Sequence, residues 1–407
     1  MGRNRVIYQS EALFVKEMGQ HASLANTDQL LRVQDISHGV ELNRTDVNEF
    51  GQLAAIERAV IEPPTVSLEF SYYLHGGRNE TLLGFKHTTD RSSSNPNSLQ
   101  NALGNFLQND SGKNYYISVV EEGEDNKDTA TGTQQGVIGI GNGVLASYSV
   151  EAAVGGMPTA SVSVEGSNLR FNDSGTSVPN PGVNIVTGAD LTGTVNMPKA
   201  TDTGTKSGQY DVACLRPGDV IVDFNDNGDC QPLTSTTLTN AAGGQKADKD
   251  MGGARLEGDG QMHLQNFTID VPLARTALTR LGNKHPYARE VEVPMSMTFT
   301  CSAFLGDIEN GNLNELLCKS STERNIRVKM LKPCVSSNTP STDIAQEFLF
   351  KGATLDSQNF SASIGDNKTV DLVFTIQTSG ASNTDKGLFM WQDGTFQTGE
   401  ATENPDR

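Results

Sequence analysis

The sequence predicts a mainly β chain made of two tandem β-sandwich or half-barrel units, each with one packed helix, and three observations predict it. Apolar residues fall in short alternating runs: in Thr65–Leu74 (TVSLEFSYYL), Val66, Leu68, Phe70 and Tyr72 share one strand face. Polar turn formers separate the runs, with 41 glycines among 407 residues and abundant Ser, Thr and Asn. The third observation is a duplication. Shifted by 231 positions, Val33–Phe85 lies on Leu264–Leu316 without a gap and matches at 13 of 53 positions, where unrelated sequence gives roughly 3. Arg44 meets Arg275, Gly51 meets Gly282 and Pro63 meets Pro294. Further on the offset falls to 211 and then 210, which pairs Asn114 with Asn325, Leu145 with Leu355, Gly155 with Gly365 and Thr159 with Thr369. These matched residues read as structural positions of one repeated unit.

The chain then divides in order. Residues 1–30 hold one alternating piece and little else apolar, which reads as an N-terminal arm that packs on its own unit or on a neighbouring subunit. Unit one spans 31–165. Leu31–Leu42 is a strand bent near His38 and Gly39, and Thr45–Ile61 is ambiguous between a capped helix and a broken one. Leu99, Leu103, Phe106 and Leu107 have helical spacing behind a polar loop at 86–97. Residues 166–261 form a connector rich in Gly, Asn, Asp and Thr, with strand-like islands at 193–197 and 212–224 and a mobile loop expected at 234–260. In unit two, 262–378, Thr276–Leu281 looks helical for about a turn and a half, Ser296–Leu305 repeats the strand alternation, and Asn312–Lys319 repeats the helix spacing. The tail, 379–407, reads as polar and loosely ordered around the single tryptophan, Trp391.

Charge and motif content exclude several functions. A net charge of −18 is the wrong sign for a surface that grips nucleic acid. Five cysteines without a CxxC pair predict reduced, buried thiols. The first twenty residues scatter their apolar positions, so neither a signal peptide nor a membrane span is expected and folding is expected in a cytoplasm. No two histidines stand at i, i+4, there is no GxSxG elbow or Walker loop, and Gly139, Gly141 and Gly143 lack dinucleotide spacing. The sharpest ligand candidate is Asp223, Asn225 and Asn227, the oxygen-rich start of a calcium loop, but position twelve is Thr234 where a bidentate Glu is needed, so a polar turn is the preferred reading. No catalytic residue, metal or cofactor is therefore expected.

The stretches NRTDVNEFGQLAAIERAVIEPPTVSLEFSYYL (43–74), VLASYSVEAAVGGMPTASVSVEGSNL (144–169), LRPGDVIVDF (215–224) and GATLDSQNFSASIGDNKTVDLVF (352–374) resemble the major tail tube proteins of long-tailed bacteriophages. The resemblance implies β-sandwich units whose inner strands join around a ring. It implies rings of six units stacked into a hollow tube, with viral DNA passing through the lumen. It also implies a place in the virion tail after assembly in the host cytoplasm, beside tape measure, terminator and distal tail proteins, and no membrane partner. Two units per chain alter the stoichiometry: three chains complete six units, a homotrimeric ring with pseudo-sixfold symmetry. Three times −18 gives such a ring a formal charge of −54, and acidic walls keep DNA from adhering. Glu69, Asp356 and Asp371, opposite apolar strand faces, are the lumen-facing acids selected. Two other classes share the β-rich composition: a capsid decoration protein, which needs no matched units, and a glycan-degrading β-sandwich enzyme, which needs a placed carboxylate pair.

Overall fold

The computed structural model describes residues 11–19, 21–88, 99–108, 112–120, 125–126, 134–173, 175–200, 214–226, 254–256, 264–304, 308–311, 324–331, 344–361 and 368–392. The chain is mainly β. Its first half holds β1 (Glu11–Glu17), β2 (Val33–Glu41), β3 (Arg44–Val47), β4 (Glu57–Val60), β5 (Thr65–Tyr73), β6 (Lys113–Val120), β7 (Gln134–Ala153), β8 (Thr159–Gly166), β9 (Asn168–Asn172), β10 (Ser177–Pro179) and β11 (Thr194–Asn196), with helices α1 (Arg78–Leu83) and α2 (Gly104–Gln108). The second holds β12 (Val220–Asp226), β13 (Ala254–Leu256), β14 (Leu264–Pro272), β15 (Arg275–Leu278), β16 (Ala288–Val291), β17 (Ser296–Phe304), β18 (Ile308–Gly311), β19 (Arg324–Leu331), β20 (Ile344–Ser361), β21 (Thr369–Gln377) and β22 (Gly387–Gln392).

The duplication is visible strand by strand. β14, β15, β16 and β17 have the bounds of β2, β3, β4 and β5 shifted by 231, and β19 those of β6 shifted by 211. Hydrogen-bonded order repeats as well: β1-β6-β7-β8-β5-β2 in the first half and β12-β19-β20-β21-β17-β14 in the second. In each half one long strand serves two layers. The N-terminal part of β7 lies between β6 and β9 and its C-terminal part pairs with β8, as β20 lies between β19 and β22 and then pairs with β21. The layers fold over this strand and enclose the alternating apolar residues, among them Leu68, Phe70 and Tyr148 in one half and Met297, Phe299 and Phe374 in the other. One apolar cluster runs from Leu13 to Met390 through both halves, so they share a core.

Several local expectations change. Thr276–Leu281 is not helical. Arg275–Leu278 pairs with Ala288–Val291 in a hairpin arm, and Arg44–Val47 with Glu57–Val60 in its counterpart. Val47, Thr45 and Leu278 suit extended backbone, and Gly51 and Gly282 take left-handed conformations (φ 94° and 84°) with open space around them, as an arm tip requires. The helix expected at 99–107 shortens to Gly104–Gln108, because Asn101 bridges to Phe389 and commits the preceding chain to β22. Helix α1 was not legible in the sequence, and Asn312–Lys319 lies outside the described residues. Within the 1–30 arm, Glu11–Glu17 pairs with β6, so this piece belongs to the fold. The connector supplies β12 as the matching strand on β19. Of 234–260, Ala254–Leu256 is a strand paired with β18, and the rest lies outside the described residues. In the tail, Gly387–Gln392 is a strand on β20 and Trp391 packs against Leu99, Leu349 and Phe389.

Candidate assembly interface

The two halves join through a strand pair that crosses between them. β14 lies antiparallel on the C-terminal part of β7, with Asn266 opposite Ala153 and Pro272 opposite Ser147. The ladder extends past its ends: Val154 N–H donates to Gln265 C=O and Leu273 N–H to Ala146 C=O, both at 2.9 Å. The β15–β16 arm then clamps the first half. Arg275 Nε donates to Leu145 C=O at 3.0 Å, and Arg289 binds the Glu165 carboxylate at 2.5 Å and the Gly166 carbonyl at 3.3 Å. Farther along the arm, Arg280 donates to the Val186 carbonyl.

A second contact runs the other way. Residues 87–88 and 101–102 of the first half meet β22, with Thr88 N–H donating to Met390 C=O and Ala102 N–H to Leu388 C=O, both at 2.8 Å, while Gln392 Nε2 donates to Thr81 Oγ1. Beneath it α1 buries Glu80, whose Oε1 accepts hydrogen bonds from Tyr72 (2.9 Å) and Tyr148 (3.0 Å). Burial pushes the Glu80 carboxyl above its ordinary value, and the tyrosine hydrogen bonds oppose that shift without cancelling it. A carboxyl raised on folding favours the folded state when protonated, so stability falls as pH rises from the ordinary value of 4.5 through the raised one. Glu80→Gln keeps an acceptor for both hydroxyls and removes the charge. Its melting temperature is expected a few degrees above wild type at pH 8, with the gap closing as pH falls towards 4.5. A constant gap across that range, measured by thermal unfolding, counts against the assignment.

Among the described residues, each side of the strand contact has an unoccupied counterpart. β2, the equivalent of β14, ends the strand order and has no partner on its outer edge among the described residues. Among the described residues the C-terminal part of β20 pairs with β21 on one edge only, where the same part of β7 holds β14 as well. Side-chain exposure follows this difference. Val271 and Leu273 are 1% and 0% exposed under the neighbouring half, whereas the matching Val40 and Leu42 are 52% and 44% exposed. Phe50, Leu53 and Ile56 extend the uncovered apolar surface along the β3–β4 arm. On the opposite flank, Phe171 on β9 is exposed where its equivalent Met390 on β22 is covered by the first half.

No protein-family model and no curated protein matches this chain. The residues selected from sequence are spread over the fold. Glu69, Asp356 and Asp371 lie on β5, β20 and β21, with Glu69 and Asp356 exposed. Asp223 and Asn225 sit in the β12 ladder opposite Arg327 and Asn325, an extended backbone and not the sharply turned loop a calcium site needs, and Asn227 lies outside the described residues. Arg44 and Arg275 begin matching arms, Pro63 and Pro294 lie just before β5 and β17, Gly155 turns β7 into β8 at φ 85°, and Gly365 lies outside the described residues. Among the described residues there is no cluster of His, Cys, Asp and Glu able to hold a metal, and no helix is long and apolar enough to cross a membrane. Sequence reading missed Arg289–Glu165 and the open β2 edge. The first is a contact between an arm and a different half, and the second shows only when β2 and β14 are compared by exposure.

Proposed function

We propose that this chain is a structural protein that joins copies of itself head to tail into a closed ring, and that stacked rings make a hollow conduit of the phage tail tube kind for DNA. The observation that carries this reading is the internal strand contact, whose two sides recur in β2 and the C-terminal part of β20 with their outer edges open among the described residues. Placing β2 of one copy on β20 of the next, as β14 lies on β7, is a heterologous contact, which closes a ring when the rotation suits. Closure removes both open edges, which would otherwise pair indiscriminately. Three chains give the six units of a homotrimeric, pseudo-sixfold ring. The continuous run β2-β5-β8-β7-β14-β17-β21-β20 contributes eight strands per chain, so three chains contribute three times eight, or 24.

The charge on this run supports a conduit. One face of it packs into the core. The other is largely Ser and Thr with Asp35, Glu69, Glu151, Glu165, Asp270 and Asp371, and the strand segments that form it contain no Lys or Arg. Turned to a lumen, such a face repels phosphate and lets DNA slide without binding. The same reading places the protein in the virion tail, assembled in the host cytoplasm, with other tail proteins at the ends of the tube. The purified chain, concentrated and measured by sedimentation and negative-stain microscopy, is expected to give three-chain rings with a central hole, or tubes of them. A hexamer of full chains overturns the stoichiometry, and a monomer at every concentration overturns the reading.

A further inference from the structure

The contact between chains differs from the internal one in where its negative charge sits. Internally, Arg289 of the arm binds Glu165 on β8. In the ladders, Val66 opposite Gly166 matches Met297 opposite Ile376, so the counterpart of Glu165 is Thr375, which carries no charge. The carboxylate is supplied from the next strand. Both long strands have an irregularity at the same place, between Leu145 and Ser147 on β7 and between Leu355 and Ser357 on β20. The skipped residue is Ala146 in the first and Asp356 in the second, and Asp356 accepts a hydrogen bond from the Thr375 hydroxyl. An exposed carboxylate thus lies over the Glu165 position on the open part of β20.

The facing arm carries the complementary group. Arg58 matches Arg289 and is exposed, bound at 2.8 Å to Asp46 of its own hairpin. Asp46 has no counterpart in the second arm, where position 277 is Ala277. We propose that, when two copies join, Arg58 of one exchanges Asp46 for Asp356 of the other, so that this pair selects the chain-to-chain contact and fixes its register. The inference rests on the ring reading above. By the same equivalence the joined copies bring Arg44 to the Leu355 carbonyl, as Arg275 donates to Leu145 within the chain, and the Leu42 N–H to the Asp356 carbonyl, as Leu273 donates to Ala146. An ion pair in this place supplies specificity and register more than raw affinity, because a wrong pairing leaves like charges opposed.

The test is a charge exchange in the full chain. Arg58→Glu and Asp356→Arg, each alone, are expected to raise the concentration needed for assembly by about tenfold or more, and the double variant to bring it back towards wild type. Asp46→Ala, which releases Arg58, is expected to leave assembly as strong as wild type or stronger. All three positions are exposed, so the thermal unfolding of the monomer should stay unchanged and excludes misfolding as the cause. Wild-type rings with both single variants assembling normally, or no recovery in the double variant, overturn the ion pair and leave the ring standing. A wild type that never associates overturns both.

Discussion

Leu273→Ala is expected to lower the unfolding free energy of the isolated chain by about 2–5 kcal/mol, while Leu42→Ala, the same change at the matching position, stays within about 0.5 kcal/mol. The two leucines occupy equivalent places in a duplicated unit, yet Leu273 is fully buried beneath the first half and Leu42 is half-exposed. Deleting Leu273 removes apolar contacts and leaves a cavity beside β7, whereas deleting Leu42 removes atoms that already touch water. The order reverses for self-association. If β2 docks on another copy as β14 docks on β7, Val40 and Leu42 lose their remaining exposure, about half of the roughly 1.5–3 kcal/mol that full burial of such a side chain contributes. Leu42→Ala should then shift the assembly threshold several-fold while urea unfolding of the monomer is unchanged. Equal destabilisation by both substitutions, or no change in assembly with Leu42→Ala, would sink the equivalence.

Glu347→Ala is expected to cost about 3–5 kcal/mol, measured by urea unfolding at a concentration where the chain is monomeric. Glu347 on β20 and Arg327 on β19 form an ion pair at 3.1 Å with both side chains buried. Removing the carboxylate takes the 3.1 Å partner from a guanidinium that has little access to water. The first half shows what else fits there: the matching positions hold Tyr116 and Val137, in an apolar cluster with Phe14, Val178 and Val195. Lys329 is also buried and lies opposite Glu347, so Arg327→Tyr and Lys329→Ser combined with Glu347→Val, the residues at the matching first-half positions, should recover most of the loss, since well-packed apolar groups commonly replace buried charges without penalty. A cost for Glu347→Ala below about 1 kcal/mol would mean that water reaches the pair.

The strands that anchor both halves were legible because a half-buried strand writes itself as alternation. Val66, Leu68, Phe70 and Tyr72 are buried, as are Met297, Phe299, Cys301 and Ala303, and Ser67 and Glu69 between the first set are exposed. The arms were less legible. Four-residue strands with exposed side chains have no buried face to impose a period, so Arg44–Val47 and Arg275–Leu278 were ambiguous or helix-like by local signals alone. Helix α1 escaped for a related reason: six residues give too few turns for a pattern, and Glu80, one of its buried residues, is polar, held there by tyrosine hydroxyls from the preceding strand β5 and from the distant β7.

What the sequence by itself determined is the repeat: 231 positions apart, the same strand lengths and the same apolar faces recur, because local pattern suffices to specify a strand and the face it buries. What only the tertiary structure decided is which copy is covered. Val40 and Val271 are the same residue in the same strand, and their difference lies in β7 of the other half, laid across one and absent from the other. Burial is set by a neighbour far away in the chain, as β7 is from β14, and no window of sequence around Val40 contains it.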